Sequence, residues 1–358
     1  MGKMLFVGVT CADVVINVDR LPRTAQDVIV YGQKTMLGGC AFNAFSVAHA
    51  LGEPALLFSP VGTGAFGDFV RKGLAAEGVP VLVENPQMEN GCCYCFVEPG
   101  GERTFIAYHG ADYHYESAWF DALDMDEVDA VYSCGLEIED PTGSLVVEFL
   151  ERACAGKQLY FTPGPRPESL PMDLVERIYD LHPQLHMNAD EACVAAARLT
   201  GEADAFARGG AMDGDAADVD QAVVRAVAVL QKRVGNTVFA TMGPDGCYFD
   251  TGERRGVVPG VAATVVDTIG AGDSHIGALM SARHRGESIE GALMRANRVA
   301  SAVVGASGAL GGYFSRRTRS KIIRPDPQTG CVAGAGVGPY SLRRTTPCGT
   351  VPVALARR

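Results

Sequence analysis

The sequence predicts a layered α/β fold with a mostly parallel central sheet and a small accessory β-sheet, on three observations. Short apolar runs alternate with amphipathic segments along most of the chain. Two stretches, residues 14–36 and 91–108, carry β-formers with no helical pattern between them. The 358 residues are 47% hydrophobic, which is enough to fill a substantial core and leaves no place for disorder as the main state.

The elements follow in order. Residues 4–9 read as a strand, 43–51 as a helix stopping at Leu51-Gly52, 55–60 as a strand, 69–77 as a helix and 79–84 as a strand. Later strands fall at 130–134, 158–162, 184–188 and 238–242, the last preceded by Val223, Ala226, Val227, Leu230 and Val234 at helical spacing, with Gly235 as the stop. Strands this apolar fit a parallel sheet covered on both faces. In the helix-free stretches Val28, Ile29, Val30, Tyr94, Phe96, Phe105 and Ile106 supply the accessory sheet, and Gly100-Gly101 turns a hairpin. Residues 201–218, rich in Ala, Gly and Asp, read as an exposed connection. Periodicity stops beyond Tyr313, so the folded body is expected over 1–314 and an irregular basic tail over 315–358.

Charge and cysteine usage narrow the function classes. The net charge is −11, but residues 315–358 hold nine Lys or Arg against one Asp, leaving 22 basic and 41 acidic residues before them. Nucleic acid is not expected as a partner of so acidic a body, although a divalent cation and backbone amides can still hold a polyphosphate at one place. No apolar run is long enough for a membrane helix, and residues 1–9 lack the regions of a signal peptide, so a cytoplasmic protein is expected. The eleven cysteines are scattered; Cys92, Cys93 and Cys95 alternate across a strand and have no second pair at zinc spacing, which reads as strand packing.

The segment Asp267-Thr268-Ile269-Gly270-Ala271-Gly272-Asp273 is a glycine-rich loop opening a helix. Its glycines let the amides of Gly270, Ala271 and Gly272 converge on an anion at the positive end of the helix dipole. A carboxylate beside such a site repels its ligand, unless Asp273 is there to accept a proton from an attacking hydroxyl. A helix N-cap is the plain alternative.

With a second signature, Gly38-Gly39-Cys40-Ala41-Phe42-Asn43-Ala44, this loop makes the chain resemble the ribokinase, or PfkB carbohydrate kinase, family from about Met4 to Gly308. The resemblance implies a ribokinase-like three-layer α/β/α fold with a β lid, and transfer of the γ-phosphate of MgATP to a hydroxymethyl group of a sugar or nucleoside. It implies Asp273 as base and the 270–272 amides as anion hole. Asp13, Gly38, Gly39 and Asn43 would grip the acceptor, as a carboxylate accepting two hydroxyls suits sugar; Asn43 as a helix cap and Asp13 as a turn residue are the alternatives.

Asn188-Ala189-Asp190-Glu191 matches the family's Asn-x-x-Glu element, implying Asn188 near the phosphates and Glu191 on Mg2+ through water, though it is also a good helix start. On the nucleotide side the resemblance implies Thr241, Gly243, Gly246, Thr268, Asn297, Ala300 and Ser301. Arg103 in the lid hairpin and Glu139 are acceptor candidates that would be equally ordinary on a solvated edge. Asp267 and Ile269 correspond to oxygens of a K+ site found in many relatives.

Two departures stand out. His275 replaces the usual aromatic two residues after the base and is expected to pack near the nucleotide rather than carry a proton. Residues 62–67, where the family has an acid, read Gly62-Thr63-Gly64-Ala65-Phe66-Gly67. That segment also spells a dinucleotide fingerprint, with Glu84 twenty residues after Gly64, so a NAD-dependent dehydrogenase is the rival enzyme. It leaves both other motifs unexplained. A catalytically inactive sugar-binding regulator is the non-enzymatic rival. A small sugar is preferred to a nucleoside as acceptor, although Phe42, Tyr94 and Phe96 offer rings to a nucleobase. A homodimer through the lid is expected, since an accessory sheet needs cover.

Overall fold

The computed structural model describes residues 2–100, 102–208 and 219–305. The basic tail and most of the 201–218 connection lie outside the described residues.

The chain enters the central sheet with β1 (Lys3–Val7), leaves it for β2 (Cys11–Val18) and β3 (Val30–Gly38), and returns through α1 (Cys40–Ala50) to β4 (Ala55–Phe58). Next come β5 (Pro60–Thr63), α2 (Gly64–Ala76) and β6 (Val83–Glu89), then the hairpin β7 (Cys92–Val97) and β8 (Arg103–Tyr108). After the short α3 (Ser117–Asp121), strands and helices alternate: β9 (Val128–Cys134), α4 (Gly143–Ala153), β10 (Gln158–Thr162), α5 (Met172–Tyr179), β11 (Gln184–Asn188), α6 (Ala189–Thr200), α7 (Gln221–Val234) and β12 (Val238–Thr241). An antiparallel ending, β13 (Cys247–Asp250) and β14 (Arg255–Val258), precedes α8 (Ala271–His284) and α9 (Ile289–Val304).

The eight-stranded sheet runs β14-β13-β12-β11-β10-β9-β1-β4 and is parallel from β12 to β4. Alternation inside β1 explains why both faces are covered. Leu5 and Val7 join a core with Val146, Ile178 and Val227 from α4, α5 and α7, while Met4 and Phe6 join one with Phe45, Leu279 and Val299 from α1, α8 and α9. The three-layer architecture follows from that pattern.

The lid is a four-stranded sheet ordered β3-β2-β7-β8. Asp13 pairs with Cys93, and Cys93 with Ala107, so these three share the face turned to the central sheet's carboxyl edge. The third predicted strand of the first half starts later than expected, at Val83, and pairs with β5 outside the central sheet. Glu84 accepts from Arg71 Nε at both carboxylate oxygens and from Nη2 at Oε2, an ordinary exposed ion pair rather than a ribose-binding acid.

One close approach positions the site. A Cβ on Gly277 would lie 2.3 Å from the Ala44 carbonyl oxygen, so glycine there lets α8 settle against α1. Asp273 is one turn before Gly277, and Asn43 is the residue before Ala44.

Candidate active site

Between the lid and the carboxyl edge of the central sheet lies a cleft of about 940 Å³. It is lined by residues from chain positions as distant as Val9, Asp13, Gly39, Asn43, Arg103, Asn188, Glu191 and the whole loop from Thr268 to Asp273. An open α/β sheet presents its ligand crevice at this edge.

Asp273 is the third residue of α8, whose N-cap is Gly270 at φ 72°, so it is not the cap. The left-handed conformation there suits glycine and turns the chain into the helix. Asp273 Oδ2 accepts from Asn43 Nδ2 at 2.9 Å. The opposite orientation of that amide would set two oxygens face to face, so the donor assignment is secure. Asn43 Oδ1 is then buried with no partner among the described residues, on a side chain that lines the cleft. Asn43 is the fourth residue of α1 and caps nothing. Burial lifts the Asp273 carboxyl to about 6, and the Asn43 amide and the Cys40 thiol hold it back from going higher.

Asp13 faces the cleft from β2, with the Cys11 thiol 3.6 Å from its Oδ1. Burial pushes it up to about 7; the thiol works against that, and the charge of Asp273 adds to it. Gly38 makes room for it, because a Cβ there would lie 1.9 Å from Asp13 Oδ2. Gly39, at φ 102°, presses on the Val9 carbonyl, where a Cβ would come within 2.3 Å. Asn188 and Glu191 form a reciprocal capping box at the start of α6, each bond 2.8 Å, and both line the cleft as well. Glu191 is lifted to about 7, first by burial, against the Asn188 N–H, with the charge of Asp273 adding to the rise.

The anion loop differs in part from expectation. The Ala271 amide donates to the Thr268 carbonyl at 3.2 Å, closing the turn, and is therefore not free for an anion. The Gly270 and Gly272 amides donate to no carbonyl among the described residues.

A family model for pfkB family carbohydrate kinases matches residues 1–313. This chain belongs to the pfkB family of carbohydrate kinases. It is 30% identical over 306 residues to a sugar kinase of Escherichia coli, YegV, covering 86% of this chain and 89% of that one. It is 25% identical to a ribokinase of Arabidopsis thaliana over 90% of this chain and 81% of the other. Among solved structures, a ribokinase from Thermotoga maritima superposes with a TM-score of 0.75 at 18% identity, covering 90% of this chain and 99% of that one. Arabidopsis thaliana ribokinase complexed with ribose and ATP gives 0.71 at 20% identity, covering 91% and 99%. These establish a ribokinase-like fold and a sugar kinase that phosphorylates a hydroxyl acceptor. The dehydrogenase reading gives way to that membership.

Several expected residues of this carbohydrate kinase sit elsewhere than the motifs suggested. Glu139 does not line the cleft; it holds Arg166 in a two-point ion pair, Oε1 to Nε at 2.9 Å and Oε2 to Nη2 at 2.6 Å, and Arg166 lines the cleft instead. Arg103 lines it too, but its guanidinium bonds Asp267 and Thr268. Asp267 Oδ1 therefore already holds that cation and the Ile269 N–H. Thr241, Gly243 and Gly246 lie at the end of β12, beside Asn188 in register, one strand beyond the cleft lining.

Asn297 is buried inside α9's packing. Its Nδ2 donates to the Val258 and Pro259 carbonyls, so its Oδ1 must accept from His275 Nε2 at 3.0 Å. That fixes His275 Nδ1 as the acceptor from His186 Nε2 at 2.9 Å. Burial pushes His275 down to about 4, so it is a neutral link between α8, α9 and β11 and not a proton carrier. Ser301 Oγ donates to the Ala262 carbonyl, and Ala300 is half-buried beside it; neither lines the cleft. Phe42 is a core residue, and Tyr94 and Phe96 alternate to the lid's outer face, so none of these three rings lines the cleft.

Arg166 and Asp112 escaped the motifs. Asp112 is 1% exposed, lines the cleft and accepts from the Gly91 N–H at 2.6 Å, while its Oδ2 has no partner among the described residues. Arg166 follows Pro163-Gly164-Pro165 at the end of β10, and a proline- and glycine-rich turn at that edge was the one signal available for it.

Proposed function

We propose that this enzyme transfers the γ-phosphoryl group of ATP to a hydroxymethyl group of a small neutral sugar, with Asp273 as the general base. The observation that carries the reading is a buried carboxyl lifted to about 6, oriented by Asn43 at 2.9 Å, at the mouth of a helix in a lid-covered cleft. Asp273 takes the hydroxyl proton as the acceptor oxygen forms its bond to the γ-phosphorus and the bond from phosphorus to ADP breaks. The Gly270 and Gly272 amides and the positive end of α8 receive the phosphoryl oxygens.

Asp13 and Asn43 Oδ1 accept from acceptor hydroxyls, with Gly38 and Gly39 giving clearance. The cationic side chains that line the cleft, Arg103 and Arg166, already hold Asp267 and Glu139, so the acceptor side favours a neutral polyol over an acid. Asn188 and Glu191 belong to the phosphate side, and Glu191 offers the hard oxygen that would hold Mg2+ through water. That ion, when bound, neutralises phosphate charge.

The lid's outer face carries Ile16, Tyr94, Phe96 and Ile106, and Ile106 is 57% exposed on the edge strand β8. A second copy of the chain is the proposed cover for it. Sedimentation at micromolar concentration tests this, and a monomer throughout would dismiss it. For the chemistry, ATP consumption is followed with a panel of sugars and nucleosides, wild type against Asp273→Asn. Loss of turnover on the order of a hundredfold or more is expected, and an Asp273→Asn variant close to wild type refutes the base assignment.

A further inference from the structure

Arg103 opens β8 opposite Val97, at the turn end of the lid hairpin. From there its side chain crosses to the loop ahead of α8. Nη2 donates to Asp267 Oδ1 at 2.6 Å and Nη1 to Thr268 Oγ1 at 2.8 Å. The side chains of the pair are only 14% and 11% exposed, which separates it from the solvent-screened ion pairs elsewhere on this protein. The same Asp267 oxygen accepts the Ile269 N–H at 2.9 Å, so what holds Asp267 also holds the turn into Gly270. Arg103 and its β8 neighbours Phe105 and Ala107 line the lid side of the cleft.

We propose that Arg103 is a positioning residue that fastens the lid to the loop preceding Asp273, making coverage of the acceptor and setting of the anion loop a single event. The inference rests on reading Asp273 as the base and the lid-covered end as the acceptor site. A guanidinium fits this task because its planar fork reaches two oxygens on adjacent residues, whereas an ammonium is one point charge on a flexible stem. Removing either partner leaves a shielded charge uncompensated and the hairpin tip untied. Lid closure by this route excludes water from the cleft and aligns the acceptor with the phosphoryl group.

The test uses the full chain with Arg103→Gln, Arg103→Lys, Asp267→Asn and the Arg103→Gln/Asp267→Asn double variant. Acceptor kinetics and amide hydrogen exchange over residues 92–108 are measured for each. Either single neutral variant is expected to lower kcat/KM for the acceptor on the order of tenfold to a hundredfold, with the double variant no worse than the poorer single one. Asp267→Asn, changed 164 residues away from Arg103, is expected to speed exchange of the same lid amides as Arg103→Gln. Arg103→Lys should recover part of both losses.

Wild-type acceptor kinetics and lid exchange in Arg103→Gln, additive losses in the double variant, or lid exchange indifferent to Asp267→Asn would each overturn the latch. Should the wild type phosphorylate no acceptor at all, the base assignment fails. The exchange comparison then still decides the latch by itself. If Asp267→Asn does not fold, the lysine variant decides, and no recovery of lid protection with lysine rejects the ion-pair role.

Discussion

Asn43 and Asp273, 230 positions apart, meet through one hydrogen bond of 2.9 Å that ties α1 to α8. The amide both aims the carboxylate and stabilises its charged form, since a donor to the ionised oxygen lowers the pKa that burial raises. Replacing Asn43 with Leu removes the donor. The ascending limb of the pH–rate profile should then move to higher pH, and kcat near neutrality should fall by about tenfold. An unchanged limb in Asn43→Leu would show that the bond does not tune the base.

Acidity sets a second expectation. Asp273 is lifted to about 6 and Asp13 to about 7, both chiefly by burial, and the charge of Asp273 adds to the rise of Asp13. A base must be deprotonated, so kcat/KM for the acceptor should rise with pH through about 6 and 7 and fall away as either carboxyl takes its proton. Coupled groups titrate in macroscopic steps that belong to the pair. In Asp13→Asn the negative neighbour is gone, so the remaining limb should become a single step at lower pH. A flat profile between pH 5 and 8 in the wild type contradicts this.

How much of this was legible in the sequence depends on whether a feature is local. The strands at 158–162 and 184–188 were readable to the residue because parallel strands buried on both faces are continuous apolar runs. Asp273, Asn43 and Asp13 were readable because each sits in a short motif whose chemistry constrains its neighbours. The close approach of Gly277 to Ala44 was not readable, since a helical glycine announces no partner. Nor were the partners of Glu139 and Arg103, because a salt bridge between residues 27 or 164 positions apart depends on how loops converge in space. The partners of Asn297 were hidden for the same reason: helix periodicity puts it on α9, but only the packed loop at Val258 and Pro259 draws its amide inward.

Gly38 separates clearance from chemistry. A Cβ at this position would stand 1.9 Å from Asp13 Oδ2, so Gly38→Ala must displace the carboxylate while leaving it in the sequence. KM for the sugar acceptor should rise on the order of tenfold or more, with KM for ATP nearly unchanged, if the nucleotide takes the proposed place on the Asn188 and Glu191 side. Equal effects on both constants in steady-state kinetics would mean that Gly38 supports the whole cleft and not the acceptor pocket alone.

The chain from His186 through His275 to Asn297 carries a stability prediction with a pH signature. His275→Leu removes two buried hydrogen bonds and leaves His186 Nε2 and Asn297 Oδ1 without partners, at a cost of about 2–4 kcal/mol. Thermal unfolding should shift down by roughly 5 °C or more. Burial holds His275 at about 4 in the folded protein, below the ordinary imidazole value of about 6.5, so unfolded chains bind protons in that interval and folded ones do not. Its contribution is therefore fully present above pH 6.5 and is lost as pH falls toward 4. The raised carboxyls of Asp13 and Asp273 act with the opposite slope in the same range, so the variant must be read against the wild type. The difference in unfolding free energy between them should be largest near neutrality and shrink toward pH 4, and a difference that grows on acidification would exclude a neutral His275.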